Sequence, residues 1–533
     1  MNSADAQPSR TWPGSLAASL VVLLIGSALW ALFLHSHDLD LSALWQDAYL
    51  RHVTLFSFKQ ATLSVVLSVG LAIPVAHALA RRQFPWKAWL LKLFAMTLVL
   101  PVLVGVFGLV AIYGRSGWIA QAFAQFDAAM PFSIYGLSGI LLAHVFFNLP
   151  FSAQLMVQAL EGIPPDQRRL ATQLGLRGWP RFRHLEWPYL RQSLPHIIGL
   201  VFMLCFTSFA TVMALGGGPK ATTIELAIYQ AIHFDFDLQT GAALALWQML
   251  LCGTFAFIVQ TLTRPIANTP SEVQPLPLAL DSRTAKCWDS LWIALTLLLV
   301  LPPLGVVIAR GLNPSALIVL SDTALWQATM HSLLIATGAT ALAFVLATSV
   351  ILASRHWRLN GRKKQANSIE TLGAIILVVP SIVLSTGLFL LFRQFSDVFS
   401  LALWLVMTVN ALMALPYLIK VLSAPAYQLA QSYHNLCATL GLKGVNRLRL
   451  IEWQCLRAPI ARGVAVSFVL SMGDLSAIAL FGSQNFQTLP LYLFRLMGSY
   501  QMDAGAAAAM LLLLTSLGCY ALITRLIQWR HAC

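Results

Sequence analysis

The sequence predicts an all-α polytopic membrane protein with about twelve transmembrane helices in two parallel six-helix repeats. Three observations predict it. The chain has 533 residues, of which 58% are hydrophobic and only 10% charged, where soluble domains carry roughly 25% charge. Its apolar residues fall in runs of about 20, the length that crosses ~30 Å of hydrocarbon as a helix. Finally, the chain repeats itself 266 positions on: Ala171–Gly178 reads ATQLGLRG and Cys437–Gly444 reads CATLGLKG.

The expected spans can be taken in order. Segment 13–34 follows Arg10 and lacks a small-residue cleavage site, so it reads as an uncleaved span rather than a signal peptide. Segments 57–80, 93–113, 135–158, 192–214 and 241–262 complete the first half. Segments 289–309, 329–353, 369–392, 400–421, 459–481 and 503–524 form the second. No strand alternation or aromatic girdle supports a barrel. Every backbone group in lipid must be paired, which leaves a helical bundle.

Six spans per half is an even number, so the two halves enter the membrane in the same direction. The repeat extends beyond the loops. Asn148-Leu149-Pro150-Phe151 aligns with Ala414-Leu415-Pro416-Tyr417, and Leu98-Val99-Leu100-Pro101 resembles Leu377-Val378-Val379-Pro380. Thr240-Gly241-Ala242-Ala243 resembles Ala504-Gly505-Ala506-Ala507. The organisation expected is a tail, first span and outward loop at 1–56 and a first core at 57–262. A Pro-rich cytoplasmic linker at 263–288 and a first span with outward loop at 289–328 follow. A second core at 329–524 and a cytoplasmic tail at 525–533 close the chain.

The net charge of +14 is a topology signal rather than a nucleic-acid signal. With an inside N-terminus, most of the 34 Lys and Arg fall in or beside inward-facing segments, as the positive-inside rule requires. Both termini are then cytoplasmic. The seven cysteines form no CxxC pair and read as reduced fillers.

Each repeated loop is polar and basic between apolar spans. In the first, Asp166–Leu174 is helix-compatible, with Gln167, Leu170, Ala171 and Leu174 near one face. Gly175 stands where a helix C-terminus needs a left-handed residue. Gly178 gives a second turn and Pro180 suits a new helix start. The result is helix, tight turn, helix, which can transmit a push as a disordered loop cannot. Two copies at one offset suggest two equivalent docking points for a soluble partner.

Asp474 is the sharpest intramembrane candidate, because a carboxylate at membrane depth is costly and faces a partner or a watery path. Its counterpart is Ser208. Two readings stand: pathway lining that favours a cation, or a hydrogen-bonded structural carboxylate. His77, His144 and Asn148 read as interhelical hydrogen-bonding groups. Gly216-Gly217-Gly218 is an outward turn and not a phosphate-binding loop, since no Gly-x-x-x-x-Gly-Lys-Ser/Thr occurs. The outward loops near Lys220–Glu225 and Gln484–Thr488 are candidates for gating or for docking a binding protein. No nucleotide fingerprint, metal constellation or nucleophile–base pair appears, so ATP chemistry is expected on a separate subunit.

The loops carry a family resemblance. Ala171, Gly175 and Trp187-Pro188 match the Ala-x-x-x-Gly pattern, with its hydrophobic-Pro pair thirteen residues on, of binding-protein-dependent ABC importer permeases. The second copy keeps Gly441 but has Cys437 for the Ala and Gln454 for the Pro. Neither copy has the leading Glu-Ala. The resemblance implies that 57–262 and 329–524 are two fused ABC type-1 permease domains. It implies that Ala171, Gly175, Gly178, Glu186, Pro188, Cys437, Gly441, Gly444 and Glu452 belong to coupling loops docked on a cytoplasmic ABC ATPase homodimer. ATP and Mg would sit on that partner, with no cofactor on this chain.

A broader likeness runs through Ala95–Val104, Leu141–Pro150 and Leu215–Ala231, which resemble permeases of bacterial thiamine importers. It implies uptake of thiamine and its phosphates, thiamine pyrophosphate included, delivered by a periplasmic thiamine-binding protein. Ferric-iron permeases share the fused layout and remain an alternative. An ion-coupled secondary transporter would need paired acidic or His groups at the midplane, and only Asp474 approaches that. A membrane enzyme would need clustered polar residues at one face, which the repeated loops do not supply.

Overall fold

The computed structural model describes residues 11–36, 46–128, 132–262, 282–395, 397–442 and 444–528. It is 84% helical, with no strand among the described residues. In the first half the helices are α1 (Trp12–His35), α2 (Ala48–Arg81), α3 (Lys87–Thr97), α4 (Val102–Tyr113), α5 (Trp118–Ala124), α6 (Leu137–Glu161), α7 (Pro165–Gln173), α8 (Gly178–Arg181), α9 (Trp187–Phe206), α10 (Phe209–Leu215), α11 (Ile224–His233) and α12 (Leu238–Leu262). In the second they are α13 (Arg283–Gly311), α14 (Pro314–Val319), α15 (Thr323–Leu359), α16 (Lys363–Ala374), α17 (Ser381–Arg393), α18 (Ala402–Thr439), α19 (Gly444–Arg447), α20 (Trp453–Met472), α21 (Ser476–Phe481), α22 (Leu489–Gly498) and α23 (Met502–Gln528).

Eleven helices among the described residues are long and apolar enough to cross a membrane, against the twelve expected spans. The difference lies at 369–392, which is divided into α16, a 3-10 turn at Ile375–Val378, and α17. Pro380 is the cause: it has no N–H to continue the ladder and pushes the residue before it out of helical geometry. Pro101 does the same at the matched place in the first half, separating α3 from α4. The expected linker 263–288 is shorter at its end, because α13 is already helical from Arg283. Residues 263–281 lie outside the described residues, as do the last five of the tail.

The chain forms two compact units. In one, α2 packs against α6 and α9, while α13 packs against α4 and α2. In the other, α15 packs against α18 and α20, and α1 packs against α17 and α15. The first span of each half therefore joins the helices of the other half. Matched glycines permit the close approach. A Cβ on Gly108 would lie 2.4 Å from the Pro303 carbonyl oxygen of α13, and one on Gly387 would lie 2.5 Å from that of Ala28 in α1. Asp289 of α13 is buried and accepts a hydrogen bond from Arg82 Nε at 2.7 Å, which fixes α13 to the end of α2.

The long helices α2 and α15 are built alike. Asp47 and Asp322 cap their N-termini through backbone N–H groups. Ser57 Oγ then accepts the Ile224 N–H at 3.0 Å, and Ser332 Oγ accepts the Leu489 N–H at 2.8 Å. These bonds seat the starts of α11 and α22. With 34 and 37 residues, the two helices span roughly 50 Å, well beyond ~30 Å of hydrocarbon. Their far ends reach the repeated loops.

Polar residues inside the spans make interhelical bonds, as expected. His144 Nδ1 pairs with Ser64 Oγ at 2.7 Å, and Asn148 donates to Cys205 Sγ at 3.3 Å. At the positions 266 on from His144 and Cys205, Asn410 donates to the carbonyl and hydroxyl of Ser471.

Candidate functional site

The first loop begins where α6 stops at Glu161. Gly162 and Pro164 interrupt the helix, and Arg168 donates to the Leu160 and Glu161 carbonyls that α6 leaves open, at 2.8 and 3.1 Å. Helix α7 then runs to Gln173 and ends in a Schellman motif. The Leu176 N–H bonds to Ala171 C=O at 3.0 Å and the Gly175 N–H to Thr172 C=O at 3.1 Å. Gly175 has φ 65° and Gly178 has φ 53°. No atom lies within 4 Å of a Cβ built on either, so backbone conformation, not space, requires glycine there. Helix α8, a π turn at Phe182–Glu186 and α9 return the chain to the membrane.

The second loop reaches the same ending. Gly441 has φ 64° with nothing within 4 Å of a built Cβ, and the Leu442 N–H bonds to Cys437 C=O at 2.9 Å. Gly444 opens α19, a π turn spans Leu448–Glu452, and α20 follows. Pro188 stands exposed near the start of α9, directly after the π turn whose closing bond runs from the Trp187 N–H to Phe182 C=O. Gln454 occupies the same place in α20, so the π turn does not depend on proline.

Burial separates the loop residues into two roles. Ala171 and Cys437 are each 4% exposed and face inward. Glu186 and Glu452 are buried as well. His77 Nδ1 lies 2.5 Å from Glu186 Oε2, and Arg181 Nε lies 3.4 Å from Oε1. Arg355 and Arg447 each lie 3.0 Å from Glu452 Oε1. His77 is on α2 and Arg355 on α15, so each carboxylate ties its loop to the long core helix of its half. Glu186 and Glu452 are thus anchors rather than surface contacts.

The outward faces are apolar. Leu170 and Leu174 are 54% and 66% exposed, and their counterparts Leu436 and Leu440 are 46% and 62% exposed. Both pairs stand four residues apart, one turn along a helix face. The sequence places Leu170, Ala171 and Leu174 near one face; the structure turns the alanine in and the leucines out. The missed residues carry a readable signal. Leu170 and Leu436, Leu174 and Leu440, and Arg181 and Arg447 all share the offset of 266.

Asp474 and Ser208 do not join the loops. Each lies in a break within its span, between α20 and α21 or between α9 and α10. The Asp474 carboxylate accepts the Ser476 N–H at 3.3 Å and the Ala477 N–H at 3.1 Å, closing the start of α21. Ser208 donates to Cys205 C=O at 2.7 Å. The structural reading of Asp474 therefore has direct contacts behind it. Among the described residues no group of three or more His, Cys, Asp or Glu could hold a metal ion.

The family described as binding-protein-dependent transport system inner membrane component matches residues 345–530. The thiamine transport system permease protein of Salmonella typhimurium is 46% identical over 525 residues, covering 98% of both chains. The chain belongs to this permease family. The thiamine transport system permease protein of Escherichia coli is also 46% identical, over 97% of this chain and 96% of its own length. That of Haemophilus influenzae is 41% identical over 95% of each. The permease is a multi-pass inner-membrane protein and a transport subunit.

Proposed function

We propose that this permease is the inner-membrane subunit of an ATP-driven importer for thiamine and its phosphates, thiamine pyrophosphate included. Both termini and both repeated loops face the cytoplasm, as the distribution of Lys and Arg favours. A cytoplasmic ABC ATPase homodimer holds ATP and Mg, and a periplasmic thiamine-binding protein delivers the substrate. Residues 57–262 and 329–524 form the two fused permease domains, and no cofactor sits on this chain.

One observation carries the coupling part of this reading: two glycine-capped helices expose matched leucine pairs while a buried glutamate ties each loop to a long core helix. A partner with two equivalent clefts would take one pair in each. Displacement of the loop is then passed to α2 through Glu186 and to α15 through Glu452, because buried ion pairs resist separation.

The substrate part rests on similarity along nearly the whole chain. Transport by the reconstituted complex tests it, with labelled thiamine, thiamine pyrophosphate and ferric iron as substrates. Saturable, ATP-dependent uptake of thiamine and its pyrophosphate is expected, with none of iron. Uptake of iron alone would overturn the assignment.

A further inference from the structure

At the ends of the spans remote from the coupling loops, two aromatic residues hold a backbone conformation that L-residues rarely adopt. Phe236 has φ 54° and Tyr500 has φ 59°. They are equivalent: the pair is 264 positions apart, the same offset that relates Thr240–Ala243 to Ala504–Ala507. Tyr500 takes the place after α22 that glycine usually fills. Its N–H bonds to Met497 C=O at 3.2 Å, and the Gln501 N–H bonds to Leu496 C=O at 3.0 Å. After α11 the turn is one residue wider, with the Asp237 N–H bonded to Ala231 C=O at 2.8 Å.

A side chain at this φ is strained relative to glycine. Packing within the chain does not offset it, since Phe236 is 79% exposed and Tyr500 83%. Strain held at both copies of a repeat, on rings that touch little of their own protein, points to contact with another molecule.

Charge narrows what that molecule is. Exposed Asp235 and Asp237 flank Phe236, and exposed Asp503 follows Tyr500. Asp237 accepts the Thr240 N–H at 3.0 Å, and its bonds to Thr240 hold its carboxyl below the usual carboxylate range, so it stays ionised. Carboxylates beside the rings oppose hydrocarbon and anionic headgroups alike and favour a soluble surface that carries basic groups. The two tips also share one platform. Arg495 on α22 acts electrostatically on His233 on α11, and Phe236 and Tyr500 fall in the same compact unit.

We propose that Phe236 and Tyr500 are paired aromatic anchors for the soluble substrate-delivering protein, one ring entering each of two matched apolar pockets rimmed by basic groups. This rests on the reading of the chain as a binding-protein-dependent permease. Phe236→Gly, Tyr500→Gly and the double variant, in the full complex with its ATPase in nanodiscs, test it. Three quantities are read: the unfolding midpoint, basal ATP hydrolysis, and stimulation by purified thiamine-binding protein.

The glycine variants should unfold at the wild-type temperature or above, because strain is removed, and should keep basal hydrolysis. Each should need about tenfold more binding protein for half-maximal stimulation, the loss typical of one aromatic anchor. Tyr500→Phe keeps the ring and should respond as wild type. A double glycine variant with the wild-type half-maximal concentration would overturn the proposal. So would lowered unfolding midpoints, since the rings would then serve the fold. If the wild-type complex itself ignores the binding protein, the importer reading fails instead.

Discussion

In the first half the spanning helix α6 stops at Glu161, and the loop helix α7 starts afresh at Pro165. In the second half one helix of 38 residues, α18, runs through both. The cause is local. Gly162, Pro164 and Pro165 stand where the second half has Gln428, Ala430 and Gln431, residues that continue a helix without cost in backbone donors. Beyond that point the loops converge on a left-handed glycine, a π turn, and a buried glutamate with an arginine five residues before it. Holding the loop to the core and presenting its leucines are thus common to both halves. The joint to the membrane span is free to differ. The first loop is joined to its span through the break at residues 162–164, whereas the second is a continuous extension of its span.

The strongest way to break this comparison is to remove the anchors. Glu452→Ala leaves the half-buried Arg355 and Arg447 without their counter-charge and should destabilise by about 2–3 kcal/mol. Glu186→Ala should cost less, because it faces one arginine and a histidine within ion-pair distance where Glu452 faces two arginines. Thermal unfolding of the purified complexes measures both; equal and small losses would deny the anchors their role.

Next in size are Gly175→Val and Gly441→Val. No neighbour obstructs a side chain at either place, so the cost is conformational, about 1–2 kcal/mol. It falls on the loop rather than on membrane insertion. Each variant should insert normally yet lose much of its ATPase association, while Asn at either site, which tolerates φ > 0, should restore it. Co-purification reads the outcome, and Val variants that retain the ATPase would contradict it.

A smaller effect should follow from erasing the difference between the halves. Pro164→Ala with Pro165→Ala lets α6 run on into α7, as α18 does. Amide exchange at Ile163, Asp166 and Gln167 should slow toward the rate at Leu429, Ser432 and Tyr433, with uptake reduced less than by any loop-turn variant. Unchanged exchange would mean that the prolines do not make the break. The smallest expected change is Asp474→Asn. Asparagine caps as well as aspartate, so stability should move by under about 0.5 kcal/mol. A selective loss of uptake at unchanged stability would add pathway lining to the capping contacts.

The sequence made much of this legible because span length and turn chemistry are local properties. Apolar runs of about 20 residues marked most spans, and glycine after an amphipathic stretch marked both left-handed turns. What it concealed depends on packing. The ninth expected span hid its break because Leu377-Val378-Val379-Pro380 is apolar throughout, and hydropathy does not register a missing donor. The ion pairs of Glu186 with His77 and of Glu452 with Arg355 join residues 109 and 97 positions apart. The exchange of first spans rests on Gly108 and Gly387, whose meaning appears only when α13 and α1 lie against them. The inward turn of Ala171 could not be separated from the outward turn of Leu170 without the helix axis.

Association of the ATPase with leucine-pair variants tests the central claim most directly. Leu170→Asp with Leu174→Asp, and Leu436→Asp with Leu440→Asp, place carboxylates where each loop presents its apolar face, and all four side chains are already exposed, so folding is spared. Both double variants should insert normally in the membrane and unfold at the wild-type temperature. Each should lose at least about tenfold in ATPase co-purification, with no detectable complex when all four are combined. Full ATPase recovery with the quadruple variant would contradict the central claim.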